Sequence, residues 1–149
     1  MSSCEARVRS YLLDTNVLIA LIDPDQPFHV AASEWFYSDL QRQWLTCPIT
    51  ENGTVRIISL PRYPRSQPVH VVFESLRTLT RVGCHQRISD DVSLLGSDVD
   101  SHRMRGSGEV TDTYLALLAH AHGAQLATFD RRISTTALRV PAGVYQVPG

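Results

Sequence analysis

Short apolar runs alternate with longer amphipathic stretches along this chain, which is the pattern of strands alternating with helices. Four runs have the length of short buried strands. Helices are expected between them, where apolar residues recur at helical spacing or follow residues that cap helices. The strands are expected at 10–13, 44–47, 125–129 and 144–147, and the helices at 17–22, 29–40, 51–58, 69–79 and 111–122. Helices that alternate with short apolar strands imply a parallel α/β sheet.

Other parts of the pattern are less regular. The segment 60–68 contains three prolines, which predicts a loop that joins the third and fourth helices into a helical hairpin. A short strand is expected at 87–89, and one or two helical turns at 91–97. The last helix ends at Gly123, because glycine suits the left-handed conformation that stops a helix. The N-terminal arm up to Arg9 is polar.

Composition excludes several classes of protein. The chain has 149 residues, close to the usual prior of roughly 150 residues per domain, and we expect a single domain over 1–149. Its 43% hydrophobic and 19% charged content is that of a globular protein and not of a disordered or rod-like chain. The net charge of −1 creates no global positive field, so any contact with nucleic acid must be local.

Residue usage narrows the chemistry and the compartment. All fourteen basic residues are arginine, which excludes lysine-dependent chemistry such as Walker-type phosphate loops, Schiff bases and the receiver-domain phosphorylation switch. Cys4, Cys47 and Cys84 are an odd number at wide spacing, which fits neither a disulfide framework nor a metal site. The apolar stretch 17–22 is far shorter than the roughly 20 residues that span a membrane, and no signal peptide is apparent. We therefore expect a protein of the reducing cytoplasm.

Four carboxylates fall where the predicted sheet would bring them to one edge. Ligands bind beyond the carboxyl ends of parallel strands, and Asp14 and Asp130 each follow a buried strand directly. Glu51 and Asp112 lie in the first turns of helices that follow strands or loops leading back to this edge. Each acid also has an ordinary explanation on its own, as a helix cap, as a first-turn residue favoured by the helix dipole, or as the start of a turn.

A cluster of carboxylates with no lysine to neutralise it favours a divalent cation. Two carboxylates ~4 Å apart repel by about 4 kcal/mol at an effective dielectric constant of ~20, and a cation removes that cost. An all-oxygen site suits Mg²⁺ or Mn²⁺ better than Zn²⁺, which prefers nitrogen and sulfur. The six histidines lack the spacing of metal ligands. Thr15, Asn16 and Thr128 supply short polar groups that would hold the carboxylates or water in place.

Each of the four acids stands inside a short motif. In chain order the motifs are Leu12-Leu13-Asp14-Thr15-Asn16-Val17-Leu18, Thr50-Glu51-Asn52-Gly53 with Val55-Arg56-Ile57, Val110-Thr111-Asp112-Thr113-Tyr114-Leu115-Ala116, and Ala127-Thr128-Phe129-Asp130-Arg131. They resemble the motifs of the PIN-domain endoribonucleases, and more closely those of the VapC toxins of bacterial toxin–antitoxin pairs. The resemblance extends over nearly the whole chain. One such motif is weak evidence, whereas four in the family's order are specific.

The resemblance implies a fold, a set of site residues and partners. The fold is a three-layer α/β/α arrangement with a central, mainly parallel sheet. The implied partners are Mg²⁺ or Mn²⁺, an RNA substrate, a second copy of the chain in a homodimer, and a cognate VapB-like antitoxin whose tail covers the acidic pocket. Asp112 fits the third motif in register, and whether Glu109 also binds metal stays open. The implied catalytic and metal-binding residues are Asp14, Glu51, Asp112 and Asp130, supported by Asn16 and Thr128.

The function implied by these residues is a metal-dependent endoribonuclease that acts as the toxin of a toxin–antitoxin pair. One or two cations would activate water and stabilise charge on the scissile phosphate, without a covalent enzyme intermediate. The carboxylate that accepts the proton of the water stays unassigned. Guanidinium groups pair bidentately with phosphates, so arginines are candidates to bind the flanking RNA. The first candidates are Arg131 and Arg132, and the others are Arg62, Arg65, Arg103 and Arg105.

Two other functions compete with this one. A catalytically silent PIN-like module would bind RNA or a protein partner and keep the acids for folding or for a structural ion. A phosphatase or phosphotransfer enzyme would use Asp14 as its nucleophile. Such an enzyme normally has a second Asp two positions later and a lysine, whereas this chain has Asn16 there and no lysine, which disfavours that function.

Overall fold

The computed structural model describes Cys4 and residues 9–149, and in this part of the chain five strands and five α-helices form an α/β fold. The expected polar arm lies mostly outside the described residues. The strands are Ser10–Leu13 (β1), Gln43–Thr46 (β2), Cys84–Arg87 (β3), Gln125–Thr128 (β4) and Val144–Gln146 (β5). The helices are Thr15–Ile22 (α1), His29–Tyr37 (α2), Pro48–Ile58 (α3), Val69–Leu79 (α4) and Val110–Ala121 (α5).

The five strands form one parallel sheet in the order β3-β2-β1-β4-β5. In the central strand β1, Leu12 pairs with Leu45 of β2 on one side, and Leu13 pairs with Ala127 of β4 on the other. Because all neighbours run in the same direction, the carboxyl ends of β1 and β4 lie side by side. The backbone N–H of Asp14, directly after β1, donates to the carbonyl oxygen of Ala127 at 2.9 Å. The expected parallel sheet is confirmed.

Side chains that alternate along β1 pack into two different layers. Leu12 points into a core formed with α5, whereas Tyr11 and Leu13 join a second core formed with α1 and α2. Leu12 and Leu13 are fully buried. A strand that is buried on both faces reads as a continuous apolar run, which is why β1 was recognisable in the sequence. The three-layer α/β/α arrangement is thereby confirmed.

Helices α3 and α4 form the expected helical hairpin beside α1. Val55 of α3 packs with Val72 and with Ile19 in a small apolar cluster. Gly53 lets α3 approach α1 closely, since a Cβ atom added there would lie 3.1 Å from Oγ1 of Thr15. The glycine in the second sequence motif therefore has a packing role.

Two of the less regular elements were wrongly placed. The edge strand β3 covers Cys84–Arg87 and not 87–89. Because β3 lies at the exposed edge of the sheet, it can contain polar residues such as Gln86 and Arg87, and it therefore does not appear in the sequence as an apolar run. No helix forms at 91–97. Val92 and Leu94 pack against the α5 core two positions apart, which is the spacing of extended chain.

The expectation that the cysteines form no disulfide is also wrong. Cys4 and Cys84 are disulfide-bonded with their Cα atoms 5.3 Å apart, although 80 positions separate them in the sequence. Spacing alone could not reveal this pair, because it depends on where β3 enters the sheet. Cys47 is a free, buried thiol. The cysteines therefore no longer argue for a reducing compartment. Among the described helices, none has both the length and the apolar content needed to cross a membrane.

Candidate functional site

Asp14 is a buried carboxylate at the junction of β1 and α1. Its side chain caps α1 by accepting a hydrogen bond from the N–H of Thr15 to Oδ1 at 2.7 Å, so its ordinary explanation is partly correct. Its other oxygen, Oδ2, accepts from Oγ1 of Thr128 at 2.9 Å. The pKa of Asp14 is raised to about 6, mainly by burial and in smaller part by the negative charges of Asp112 and Asp130, while the two hydrogen bonds lower it. The cap thus lies within a cluster of acids.

Thr128, at the end of β4, connects three polar residues of this edge through one hydroxyl group. Oγ1 donates to Asp14 and accepts from Nδ2 of Asn16 and from the N–H of Asp130, both at 3.0 Å. Oδ1 of Asn16 accepts in turn from the N–H of Phe129 at 3.1 Å. A hydroxyl group has one hydrogen to donate and two lone pairs to accept with, so all of its capacity is used here. Both predicted supporting residues therefore contact the acids or the strand end that carries them.

Replacing Thr128 by Val should destabilise the protein by about 2–3 kcal/mol, because the similar shape is kept while buried polar partners lose their hydrogen bonds. Thr128→Ser is the matched control, since it keeps the hydroxyl group and should cost only about 1 kcal/mol for the lost methyl group. Urea-induced unfolding of both variants measures the difference. Equal stability of the two variants would show that the hydroxyl group does not organise the site.

Asp112 and Asp130 complete a cluster of three acids that come from three different elements. Asp112 lies in the first turn of α5, and Asp130 follows β4. Burial raises the pKa of Asp112, and the charge of Asp130 raises it further, whereas Arg132 lowers it. Oδ1 of Asp130 accepts from the N–H of Arg132 at 2.9 Å. The rule about strand ends thus predicted the proximity of Asp14 and Asp130, which are 116 positions apart in the sequence.

Glu51 is held in a separate network at the same edge of the sheet. Its Oε2 accepts from Oγ1 of Thr46 and from Nε of Arg87, both at 2.7 Å. Thr46 gives its hydrogen to Glu51, so Nε2 of His85, 2.7 Å from the same hydroxyl oxygen, acts as a donor. Burial lowers the pKa of His85 to about 4, which keeps its ring neutral. Arg87 therefore balances the charge of Glu51, as Arg132 does that of Asp130 in the three-acid cluster.

Sequence reasoning missed the partners of Glu51. Thr46 is the last residue of the buried strand β2, whereas Asp14 and Asp130 lie just beyond the ends of their strands. The rule that ligands bind beyond the carboxyl ends of parallel strands would therefore have indicated Thr46 as well. Arg87 and His85 carry no such signal, because they belong to the edge strand that was wrongly placed.

Several of the candidate arginines are paired with carboxylates. Nε of Arg105 lies 2.7 Å from Oε2 of Glu109, and this hydrogen bond lowers the pKa of Glu109. Glu109 directly precedes α5, and its negative charge also raises the pKa of Asp112. Arg131 and Arg132 border the acids and are exposed. Arg62 is exposed. Arg65 forms an ion pair with Asp25 at 2.7 Å, and Arg103 forms one with Asp100 at 3.6 Å.

The donor set of the three-acid cluster suits a hard divalent cation. All its ligand atoms would be oxygens, and the raised pKa of Asp14 reflects burial and repulsion that a positive ion would relieve. Among the residues that the structure describes, no group of three or more His, Cys, Asp or Glu side chains is arranged so that it could by itself hold a metal ion. Mg²⁺ usually binds through one or two carboxylates and keeps several waters, with substrate phosphates completing its shell. An open cluster of this kind fits that preference.

Fold and site together define a class of protein, a parallel α/β domain with carboxylates gathered at the strand ends. The family model of the PIN domain matches residues 11–138, and the chain belongs to this family. It is 43% identical over 128 residues to Ribonuclease VapC44 of Mycobacterium tuberculosis, which covers 85% of this chain and 90% of that protein. Ribonuclease VapC39 of the same organism is 38% identical over 138 residues, covering 91% and 97%. Ribonuclease VapC38 is 37% identical over 131 residues, covering 87% and 92%.

Proposed function

We propose that this protein is a single-domain, Mg²⁺- or Mn²⁺-dependent endoribonuclease that acts as the toxin of a toxin–antitoxin pair. The observation that carries the proposal is that Asp112 and Asp130 lie close enough for their charges to raise the pKa of Asp14, and that the charge of Asp130 also raises the pKa of Asp112. An RNA substrate is supported by the three relatives, whose names call them ribonucleases. Membership of the family supports a VapB-like antitoxin as partner and a homodimer. The proposed cytoplasmic location rests only on the lack of an apparent anchor or signal peptide in the sequence, since the disulfide removes the argument from the cysteines.

The chain's own residues fix the acids before substrate binds. Both side-chain oxygens of Asp14 accept hydrogen bonds, which hold its carboxylate in one orientation. Thr128 ties that orientation to the position of Asp130. Glu51 is fixed by Thr46 and Arg87 at the same edge and remains the proposed fourth acid. A divalent cation held by these acids would stabilise charge on the phosphodiester and make water a stronger nucleophile.

The positive side chains beside the acids would bind the RNA backbone. Arg131 and Arg132 follow Asp130 directly, and the side chain of Arg132 is 92% exposed. Their guanidinium groups can pair with phosphate oxygens on either side of the scissile bond. These two arginines form a local positive patch, which is needed because the chain as a whole, with a net charge of −1, does not attract RNA.

Cleavage of RNA by the purified, antitoxin-free protein tests the proposal. The protein is incubated with a panel of structured RNAs and Mg²⁺ or Mn²⁺, with and without a chelator. We expect cleavage that stops in the chelator and returns when Mn²⁺ is added in excess. Cleavage that persists in the chelator would reject the metal mechanism, and no cleavage on a broad panel would favour a silent binding module.

A further inference from the structure

A cavity of about 600 Å³ adjoins the acids, and its chemistry differs from theirs. It lies between α1, the loop that precedes α2, the loop that joins α3 to α4, and the end of β4. Asn16 and Asp130 form part of its wall, so the cavity borders the three-acid cluster at Asp130. Its volume is in the range of small-molecule binding sites, about 300–1,000 Å³. A ligand in it would lie directly beside a group bound at the acids.

One wall of the cavity is aromatic. The rings of Phe28 and Phe129 are stacked, with their centroids 4.5 Å apart and their planes 16° from parallel. Phe28 remains 43% exposed, which is high for so apolar a side chain. Stacking fixes the orientation of both rings, so this wall is formed in advance of any ligand.

Another part of the wall is polar and is also fixed by hydrogen bonds. The hydroxyl group of Tyr63 donates to Oδ2 of Asp23 at 2.5 Å and accepts from Nε2 of Gln26 at 2.6 Å. Burial and this carboxylate raise the pKa of Tyr63 to about 12, so the phenol stays neutral. These bonds join the two loops that enclose the cavity. The bond to Tyr63 uses one of the two amide hydrogens of Gln26, and its second hydrogen and its carbonyl oxygen can serve a ligand.

Positive charge is confined to the rim nearest the acids. Arg131 and Arg132 line the cavity there, and both are exposed. Nε of Arg132 lies 3.3 Å from Oδ1 of Asp130, a pairing that a phosphate group can replace. The cavity thus offers an aromatic wall, an amide with free hydrogen-bonding capacity and two guanidinium groups.

We infer that this cavity binds one nucleobase of a single-stranded RNA, the base next to the phosphodiester held at the acids. The inference rests on the proposed function and names a recognition site for its substrate. Unpaired RNA bases bind by stacking on aromatic or guanidinium planes and by hydrogen bonds to their edges. The walls of the cavity present each of these groups, and the two arginines that could bind phosphate line the same cavity as Asp130. Gln26 would read the edge of the base, so the cavity would set a base preference beside the cut.

The test measures binding without cleavage, in an Asp112→Asn background. Fluorescence anisotropy gives the affinity for labelled single-stranded hexaribonucleotides of each of the four bases, and for the tightest hexamer with one abasic nucleotide at each position in turn. Phe28→Ala is expected to weaken binding of the intact hexamer about 5- to 100-fold, the range of base–aromatic stacking. In the parent, removal of the base at one position of the hexamer should weaken binding by a similar factor. With that abasic oligonucleotide, Phe28→Ala should cause no further loss of affinity.

Phe73→Ala is the matched control, because Phe73 lies on α4 and is 42% exposed, close to the exposure of Phe28. It should leave the affinity unchanged. Phe28→Leu keeps an apolar side chain against Phe129 but has no aromatic face, so it should lose affinity as Phe28→Ala does while better preserving the melting temperature. The inference is overturned if Phe28→Ala binds the intact hexamer as tightly as its parent. The inference is also overturned if Phe28→Ala weakens binding by the same factor whichever base is missing from the oligonucleotide. In that case the side chain does not contact any particular base, as expected if the cavity binds a protein segment instead.

Cleavage assays separate the failure of this inference from failure of the proposed function. In the protein that retains Asp112, Phe28→Ala should alter the base preference at the cleavage site. Cleavage with an unchanged base preference would overturn the nucleobase site and leave the nuclease assignment intact. A protein that cleaves no RNA would overturn the proposed function, and the hexamer affinities would still decide whether the cavity binds a base.

Discussion

An Asp112→Asn variant is expected to cleave RNA about 10²- to 10⁴-fold more slowly than the parent, since loss of cation-assisted charge stabilisation costs several kcal/mol. Asparagine keeps the shape of the side chain and removes the charge that would hold the cation. Folding should be retained, because Asp112 is half-buried and its raised pKa shows that the charge is unfavourable in the folded state. Single-turnover cleavage at saturating protein measures the rate.

Glu109→Gln is the matched control for Asp112, because Glu109 lies only one helical turn away. Its carboxylate is engaged by Arg105, so its loss should change the cleavage rate less than about threefold, in line with the small worth of an exposed ion pair. A large loss in Glu109→Gln together with near-normal activity in Asp112→Asn would reverse the assignment of the third acid.

An Asp14→Asn variant is expected to flatten the pH dependence of stability in metal-free buffer. The pKa of Asp14 is about 6 in the folded protein, above its usual value of 3.8. The folded state therefore holds this proton more tightly than the unfolded state does. The resulting stabilisation is complete below about pH 4 and is lost as the pH rises through 6. At about 1.36 kcal/mol per pKa unit, it amounts to about 3 kcal/mol.

Urea unfolding at pH 4 and pH 7.5, with a chelator present, measures this difference for parent and variant. The comparison between pH values is informative even if the amide changes the absolute stability through its contact with Thr128. Asp25→Asn is the control, since Asp25 is an exposed carboxylate paired with Arg65, and its profile should follow that of the parent. Parallel pH profiles for the parent and Asp14→Asn would mean that Asp14 is not the strained buried acid described above.

The fold was predictable where strands are buried on both faces, and not at the edge of the sheet. Leu12 and Leu13 lie in different cores, so β1 appears in the sequence as an uninterrupted apolar run. Strand β3 has one neighbour and carries polar side chains, and it is defined by pairing such as Trp44 with His85. Long-range pairing of that kind leaves no local pattern in the sequence.

The same division applies to the site. Asp14 and Asp130 follow buried strands directly, so a general rule about parallel sheets predicted that they would meet. The pairing of Glu51 with Arg87 was not predictable, because it depends on the placement of β3. The residues of the cavity, such as Phe28 and Tyr63, lie outside the helices and strands, where side chains follow no repeating pattern. Their proximity arises from tertiary packing and from the hydrogen bonds between the two loops.

The central proposal is that Asp14, which follows β1, Asp112 in α5 and Asp130, which follows β4, together form one cation site. Titration of Mn²⁺ into the purified, RNA-free protein, followed by isothermal calorimetry, tests it most directly. We expect saturable binding to the parent, weakened by at least about 10-fold in Asp14→Asn and likewise in Asp112→Asn, since loss of a metal contact typically costs that much or more. Mn²⁺ binding of equal affinity in the parent and in both variants would contradict the claim.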